Sequence, residues 1–130
     1  MLFRSYSESL KLLAKQHNVL LTGFISGEKL QEIYTHARLF ILPSFHEGLP
    51  ISLLEAMSYQ LNVLVSNIPA NIEVGLDKES YFAVDNPADL QTKLKAKLAE
   101  QVSLRSYNMK PYNWQEISKQ ILKVYEELVN

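Results

Sequence analysis

Between Leu39 and Val65 the sequence passes from an apolar run to a polar loop, an apolar-spaced helix and a second apolar run. Leu39-Phe40-Ile41-Leu42 has the length and composition of a strand buried on both faces. Pro43 ends it, because proline brings no N–H to a sheet ladder. The loop Ser44-Phe45-His46-Glu47-Gly48-Leu49 follows, then Pro50, whose fixed φ suits a first helical turn. From Ile51 to Tyr59, with Leu61 beyond, Ile51, Leu54, Ala56, Met57 and Leu61 are read as the apolar face of a helix that also carries Glu55. Val63-Leu64-Val65 then reads as a strand that stops at Ser66-Asn67. A strand–loop–helix–strand unit with its polar residues gathered where the first strand stops is the ligand-binding edge of a parallel α/β sheet.

The flanking sequence continues the alternation. Leu10, Leu12, Leu13 and Ala14 lie among charged residues in a helix from residue 3 to about 17. Val19-Leu20-Leu21-Thr22 reads as a strand closed by Gly23, and Ser26 as the N-cap of a helix whose inner face is Leu30, Ile33, Tyr34 and Ala37. Pro69 to Leu76 is a short polar segment with one helical turn around Asn71 and Glu73. Tyr81-Phe82-Ala83-Val84 is a fourth strand, and Asp85-Asn86-Pro87 caps a helix from Ala88 to about Val102. The pattern lapses near Tyr107 to Asn113, then resumes from Trp114 to Val129. There Ile117, Ile121, Leu122, Val124, Tyr125 and Leu128 form one stripe. Four strands alternating with helices predict an α/β fold: a three-layer, Rossmann-like parallel sheet with flanking helices in one domain, residues 1–130.

Composition narrows the function. The 130 residues contain no cysteine, which excludes disulfides, thiolate metal sites and cysteine nucleophiles. A net charge of −1 gives no electrostatic case for nucleic acid or an anionic membrane. No apolar run approaches the roughly 20 residues of a membrane span. No His and carboxylate cluster has metal-ligand spacing, and Ser44 and Ser52 lack a nucleophile elbow. The expectation is a cytoplasmic protein without a metal. His46, His17 and His36 read as solvated or capping residues. Trp114 and Tyr125 read as packing residues, and Lys93, Lys95 and Lys97 as a solvated helix face.

The chemistry gathers in the central loop. Gly48 beside Glu47 allows a positive φ and a close approach of ligand to backbone. The N–H groups of Ile51, Ser52 and Leu53 at the helix start favour a phosphate. Glu55, one turn on, is an acceptor-only group suited to a pair of hydroxyls. Sugar, diphosphate and ribose would match this order of groups.

Glu47-Gly48-Leu49-Pro50 through Glu55-Ala56 resembles the Glu, seven residues, Glu motif of retaining nucleotide-sugar glycosyltransferases, group 1 or family four of the GT-B fold. Asn18 to Gly23, Leu39 to Pro43 and Pro69 to Glu73 are similar to further segments of that family, so the resemblance runs from about Glu8 to Pro87. It implies that Glu47, the catalytic residue, binds hydroxyls of the transferred sugar with the amides of Gly48 and Leu49. Pro50, Ile51 and Ser52 would hold the distal phosphate, Glu55 the ribose, and Phe24 and Ile25 would lie near the base. Glu73 would either face the sugar side of the cleft or cap its own segment. The resemblance further implies a nucleoside-diphosphate sugar as donor, no cofactor and no metal, and retention of the anomeric configuration.

The family's first basic strand–loop unit and its N-terminal acceptor domain are not matched. The chain therefore reads as a C-terminal part of such an enzyme, not catalytically competent alone, with a parent that could sit peripherally at a membrane. The helix at about 114–129 would pack across to the missing domain. A second reading is a non-enzymatic Rossmann-like remnant or interaction module, self-associating through an unpaired sheet edge. A flavodoxin-like receiver lacks its acidic cluster here, and G-x-G-x-x-G and Walker A loops are absent.

Overall fold

The computed structural model describes residues 2–129, with side chains from residue 6 onward. The chain divides into two compact units, residues 1–33 and 34–130.

The first unit opens with helix α1, Leu2–Gln16. Asn18, at φ 55°, takes the left-handed conformation that ends it, and the Val19 N–H reaches back to the Ala14 carbonyl at 2.8 Å. Residues 17–27 are irregular. The strand expected at Val19–Thr22 does not form. A strand exists only through its ladder, and among the described residues none pairs with this segment. Val19, Leu20 and Leu21 are exposed. Helix α2, Glu28–His36, begins later than Ser26 would cap it, with the Gly27 carbonyl accepting from Leu30 and Gln31. The boundary between the units falls within α2.

The second unit holds a parallel sheet of three strands, not four, in the order β1 (Phe40–Leu42), β2 (Val63–Ser66), β3 (Tyr81–Phe82). Phe40 and Leu42 lie opposite Val63 and Val65, and Val65 and Ser66 opposite Tyr81 and Phe82. β2 is buried at every residue, which is why it reads as an unbroken apolar run. Helix α3, Ile51–Ser58, connects β1 to β2. A short α4, Pro69–Ile72, and a 3₁₀ turn, Lys78–Ser80, lead to β3. Helix α5, Pro87–Ala99, is capped as expected: the Asn86 side chain accepts from the Asp89 N–H at 3.0 Å. A second 3₁₀ turn, Lys110–Tyr112, precedes α6, Trp114–Val129. The α/β class with a parallel sheet and flanking helices is as the sequence predicts.

The core of the second unit is Tyr34, Leu53, Ala56, Met57, Leu61, Val63, Leu64, Val65, Ile68 and Phe82. The buried face of α3 is therefore Leu53, Ala56 and Met57, at i, i+3, i+4, and not the Ile51–Leu54 side. Ile51 is 62% exposed. Ile51, Leu54 and Ser58 instead line an apolar cleft of about 310 Å³ with Tyr112, Trp114 and Ile117. On α6 the predicted stripe is present but uncovered: Ile121, Leu122, Val124, Tyr125 and Leu128 are exposed, as is Trp114. Among the described residues Trp114 and Tyr125 are thus not part of the core.

Lys97 departs from expectation in the other direction, being buried rather than solvated. Lys97 lines a polar cavity of about 120 Å³ with Asp77 and with Arg105 and Tyr107 of the segment returning from α5. That segment is tied to the start of β2. Arg105 Nε donates to Asn62 Oδ1 at 2.6 Å and the Tyr107 hydroxyl to the Leu61 carbonyl at 2.6 Å.

Candidate functional site

Because the three strands are parallel, the loops after β1, β2 and β3 leave the same edge of the sheet. The loop after β1 carries Ser44, His46, Glu47 and Gly48. Glu47 is half-buried, and its Oε1 accepts a hydrogen bond from Ser44 Oγ at 2.6 Å, within the range of a charge-assisted bond. His46 is exposed. Gly48 is not at positive φ, and a Cβ there would meet nothing within 4 Å. The expected backbone reason for a glycine is therefore not present, which leaves room for a ligand beside it.

Pro50 is fully buried and forms the N-cap of α3, at φ −76° and ψ 73°, with no side-chain cap. The expectation of three open N–H groups is corrected here. The Ile51 N–H donates to the Leu49 carbonyl at 2.8 Å, and the Leu53 N–H to the Pro50 carbonyl at 3.0 Å. Among the described residues, Ser52 keeps the first-turn N–H without a backbone acceptor. A phosphate at this helix end thus has one amide ready, and the half-buried Ser52 hydroxyl lies on the same residue.

Glu55 is exposed on α3, and its Oε2 accepts from the Tyr34 hydroxyl at 3.2 Å. Tyr34 is buried against Tyr59, stacked at 5.2 Å between ring centroids, and against Phe40 at 6.1 Å. Burial first, then the hydrogen bond and charge of Glu55, push the Tyr34 hydroxyl up to about 12, so it remains a donor at neutral pH. Both candidate carboxylates therefore accept a bond from a hydroxyl, Glu47 from Ser44 of its own loop and Glu55 from Tyr34 of α2.

The structure brings Glu47, Gly48, Leu49, Pro50, Ile51, Ser52 and Glu55 into one loop–helix junction. Phe24 and Ile25 lie in the first unit, Phe24 94% exposed and Ile25 half-buried. Glu73 is exposed at the C-cap of α4. Sequence reading missed the partners of both carboxylates. The spacing Ser44-x-x-Glu47, that of a Ser and Glu bonding across one turn, carries a signal for the first. Tyr34 stands 21 residues from Glu55 and reads only as a core residue of α2.

A parallel three-stranded sheet with flanking helices, and polar loops leaving one edge, is of the Rossmann-like class. The chain belongs to the glycosyl transferases group 1 family, whose sequence profile matches residues 3–110. It is 31% identical to a serotype-specific mannosyltransferase of Escherichia coli over 102 residues, 76% of this chain and 12% of that protein. It is 29% identical over 134 residues to an uncharacterized glycosyltransferase of Methanocaldococcus jannaschii, covering 95% of this chain and 34% of the relative. Among solved structures it resembles the catalytic domain of a cholesterol-alpha-glucosyltransferase from Helicobacter pylori. The TM-score is 0.61 at 29% identity, over 71% of this chain and 60% of that one. The chain thus spans 12% of the length of that mannosyltransferase. No helix among the described residues is long and apolar enough to cross a membrane.

Proposed function

We propose that this chain is the nucleotide-sugar donor-binding part of a retaining glycosyltransferase, taking a nucleoside-diphosphate sugar whose glycosyl group passes to an acceptor. The observation that carries this reading is the pair of oriented carboxylates, Ser44–Glu47 and Tyr34–Glu55, at the carboxyl edge of a family-matched domain. Glu47 is the group that touches the reacting sugar, accepting from its hydroxyls beside the amides of Gly48 and Leu49. Ser52, with its free N–H and hydroxyl, takes the distal phosphate next to Pro50 and Ile51. Glu55 grips the ribose hydroxyls. The donor's charge is met by protein groups and no metal is required. The relatives named as mannosyltransferases favour a hexosyl donor and a role in building a polysaccharide or glycoconjugate. One domain does not enclose a transition state, so the isolated chain binds donor without turning it over.

Calorimetric titration with UDP, GDP and their hexose conjugates tests this. Glu55→Ala should weaken every nucleotide, whereas Glu47→Ala should weaken only the sugar conjugates. Equal affinity in wild type and both variants would refute the reading. A second reading, an interaction module of the same fold, is favoured by the exposure of Val19, Leu20 and Leu21, which form no ladder. It predicts concentration-dependent self-association, and a monomer that binds a sugar nucleotide would exclude it.

A further inference from the structure

Ser66 and Asn71 stand outside the carboxylate loop, and both are fully buried. Ser66 is the last residue of β2, and Asn71 lies in α4. Asn71 Nδ2 donates to the Ser66 carbonyl at 2.9 Å and to Ser66 Oγ at 3.3 Å. Ser66 Oγ donates to the Ser44 carbonyl at 2.5 Å, with the Leu42 carbonyl at 3.5 Å. Ser44 Oγ in turn donates to Glu47 Oε1.

The direction of each bond is fixed by its chemistry. A carbonyl can only accept, so the Asn71 amide has one orientation. Ser66 Oγ, receiving that N–H, has a single proton to give, and the Ser44 carbonyl takes it. Ser44 is thereby pinned through its backbone while its hydroxyl faces a carboxylate. Asn71 Oδ1 is the one buried side-chain polar atom without a partner among the described residues. A buried acceptor left unmade is unfavourable. An apolar residue of similar shape would fill the space without that penalty, but would supply no N–H to Ser66.

We infer that Ser66 and Asn71 are positioning residues for Glu47, acting through Ser44 to hold its carboxylate in the sugar-binding orientation. This rests on the reading of Glu47 as the sugar-binding carboxylate. Neither residue touches donor; both act on the loop between β1 and α3.

The experiment compares the affinity of a sugar nucleotide with that of its parent diphosphate, using UDP-glucose against UDP and GDP-mannose against GDP. A hydrogen bond worth about 1 kcal/mol corresponds to roughly fivefold. Ser66→Ala should lower the conjugate-to-diphosphate ratio by about that factor, and Asn71→Ala should lower it in the same direction. Val65→Ala, a buried neighbour outside the bonded series, should cost stability and leave the ratio alone. A ratio unchanged in Ser66→Ala but lowered in Glu47→Gln overturns the positioning inference alone. A ratio unchanged in Glu47→Gln overturns the donor reading and this inference with it. The carbon-13 carboxyl resonance of Glu47 reads the same geometry without ligand. Ser44→Ala and Ser66→Ala should both move it, and Val65→Ala should not. A resonance left in place by Ser66→Ala overturns the inference whether or not the chain binds sugar nucleotide.

Discussion

The Tyr34 hydroxyl, 3.2 Å from Glu55 Oε2 and 3.4 Å from the Ser52 carbonyl, fastens the last turn of α2 to the first turns of α3. Tyr34 is buried while Glu55 is exposed, so the ring is the fixed partner and the carboxylate the adjustable one. Tyr34→Phe keeps the stacking on Tyr59 and removes only the donor. A hydrogen bond to a charged group contributes about 1.5–3 kcal/mol at most, and less where one partner faces water. The expected result is a fold that survives and an affinity for nucleoside diphosphates lowered about three- to tenfold. Wild-type affinity in calorimetry would show that Glu55 needs no such support.

Burial of Tyr34, and after it the same contact, sets a pH dependence. The folded Tyr34 hydroxyl is raised from 10.0 to about 12, so the folded chain favours its protonated form more than the unfolded chain does. That stability is fully present below pH 10 and is lost as pH rises through about 12. Urea unfolding across this window should show a steeper alkaline loss in wild type than in Tyr34→Phe. Parallel curves for the two proteins would mean that Tyr34 ionises freely.

The local parts of this fold are written in local sequence. β2 is legible because a central parallel strand needs no polar face, and α6 because its stripe repeats without interruption from Trp114 to Val129. The Asn86 cap follows from one side chain and a proline. What escapes the sequence is pairing at a distance. Val19–Thr22 has strand composition, yet composition cannot supply the neighbour that makes a strand. Lys97 looks like its neighbours on α5, yet it is buried beside a cavity that it shares with Arg105. In the site, the residue types and their spacing locate the carboxylates. The hydroxyls that orient them come from α2 and from within the loop, where nothing in the spacing of apolar residues points to them.

The rotation of α3 gives a direct stability test. Leu53 and Leu64 are completely buried, while Ile51 is 62% exposed. Leu53→Ala or Leu64→Ala removes packed methyl groups and leaves a void, a loss of about 3 kcal/mol. Ile51→Ala should cost less than about 1 kcal/mol, because its side chain already meets water. Chemical unfolding of the three variants decides it, and a large loss at Ile51 would restore the face that the sequence spacing suggests.

Lys97 and Glu100 make the last comparison. The ammonium is buried, and Glu100 Oε1 at 3.5 Å is its ion-pair partner, while Oε2 of the same carboxylate bonds Arg105 Nη2. A pair whose charged lysine is desolvated gains little over an apolar side chain of equal length, so Lys97→Met should be neutral or mildly stabilising. Removing the carboxylate is different. Glu100→Gln leaves Lys97 buried without its counter-charge and also loosens Arg105, whose bond to Asn62 ties the returning segment to β2. A loss of about 1–3 kcal/mol is expected, and the double variant Lys97→Met, Glu100→Gln should recover part of it. Additive losses in urea unfolding would show that the two charges do not sense one another.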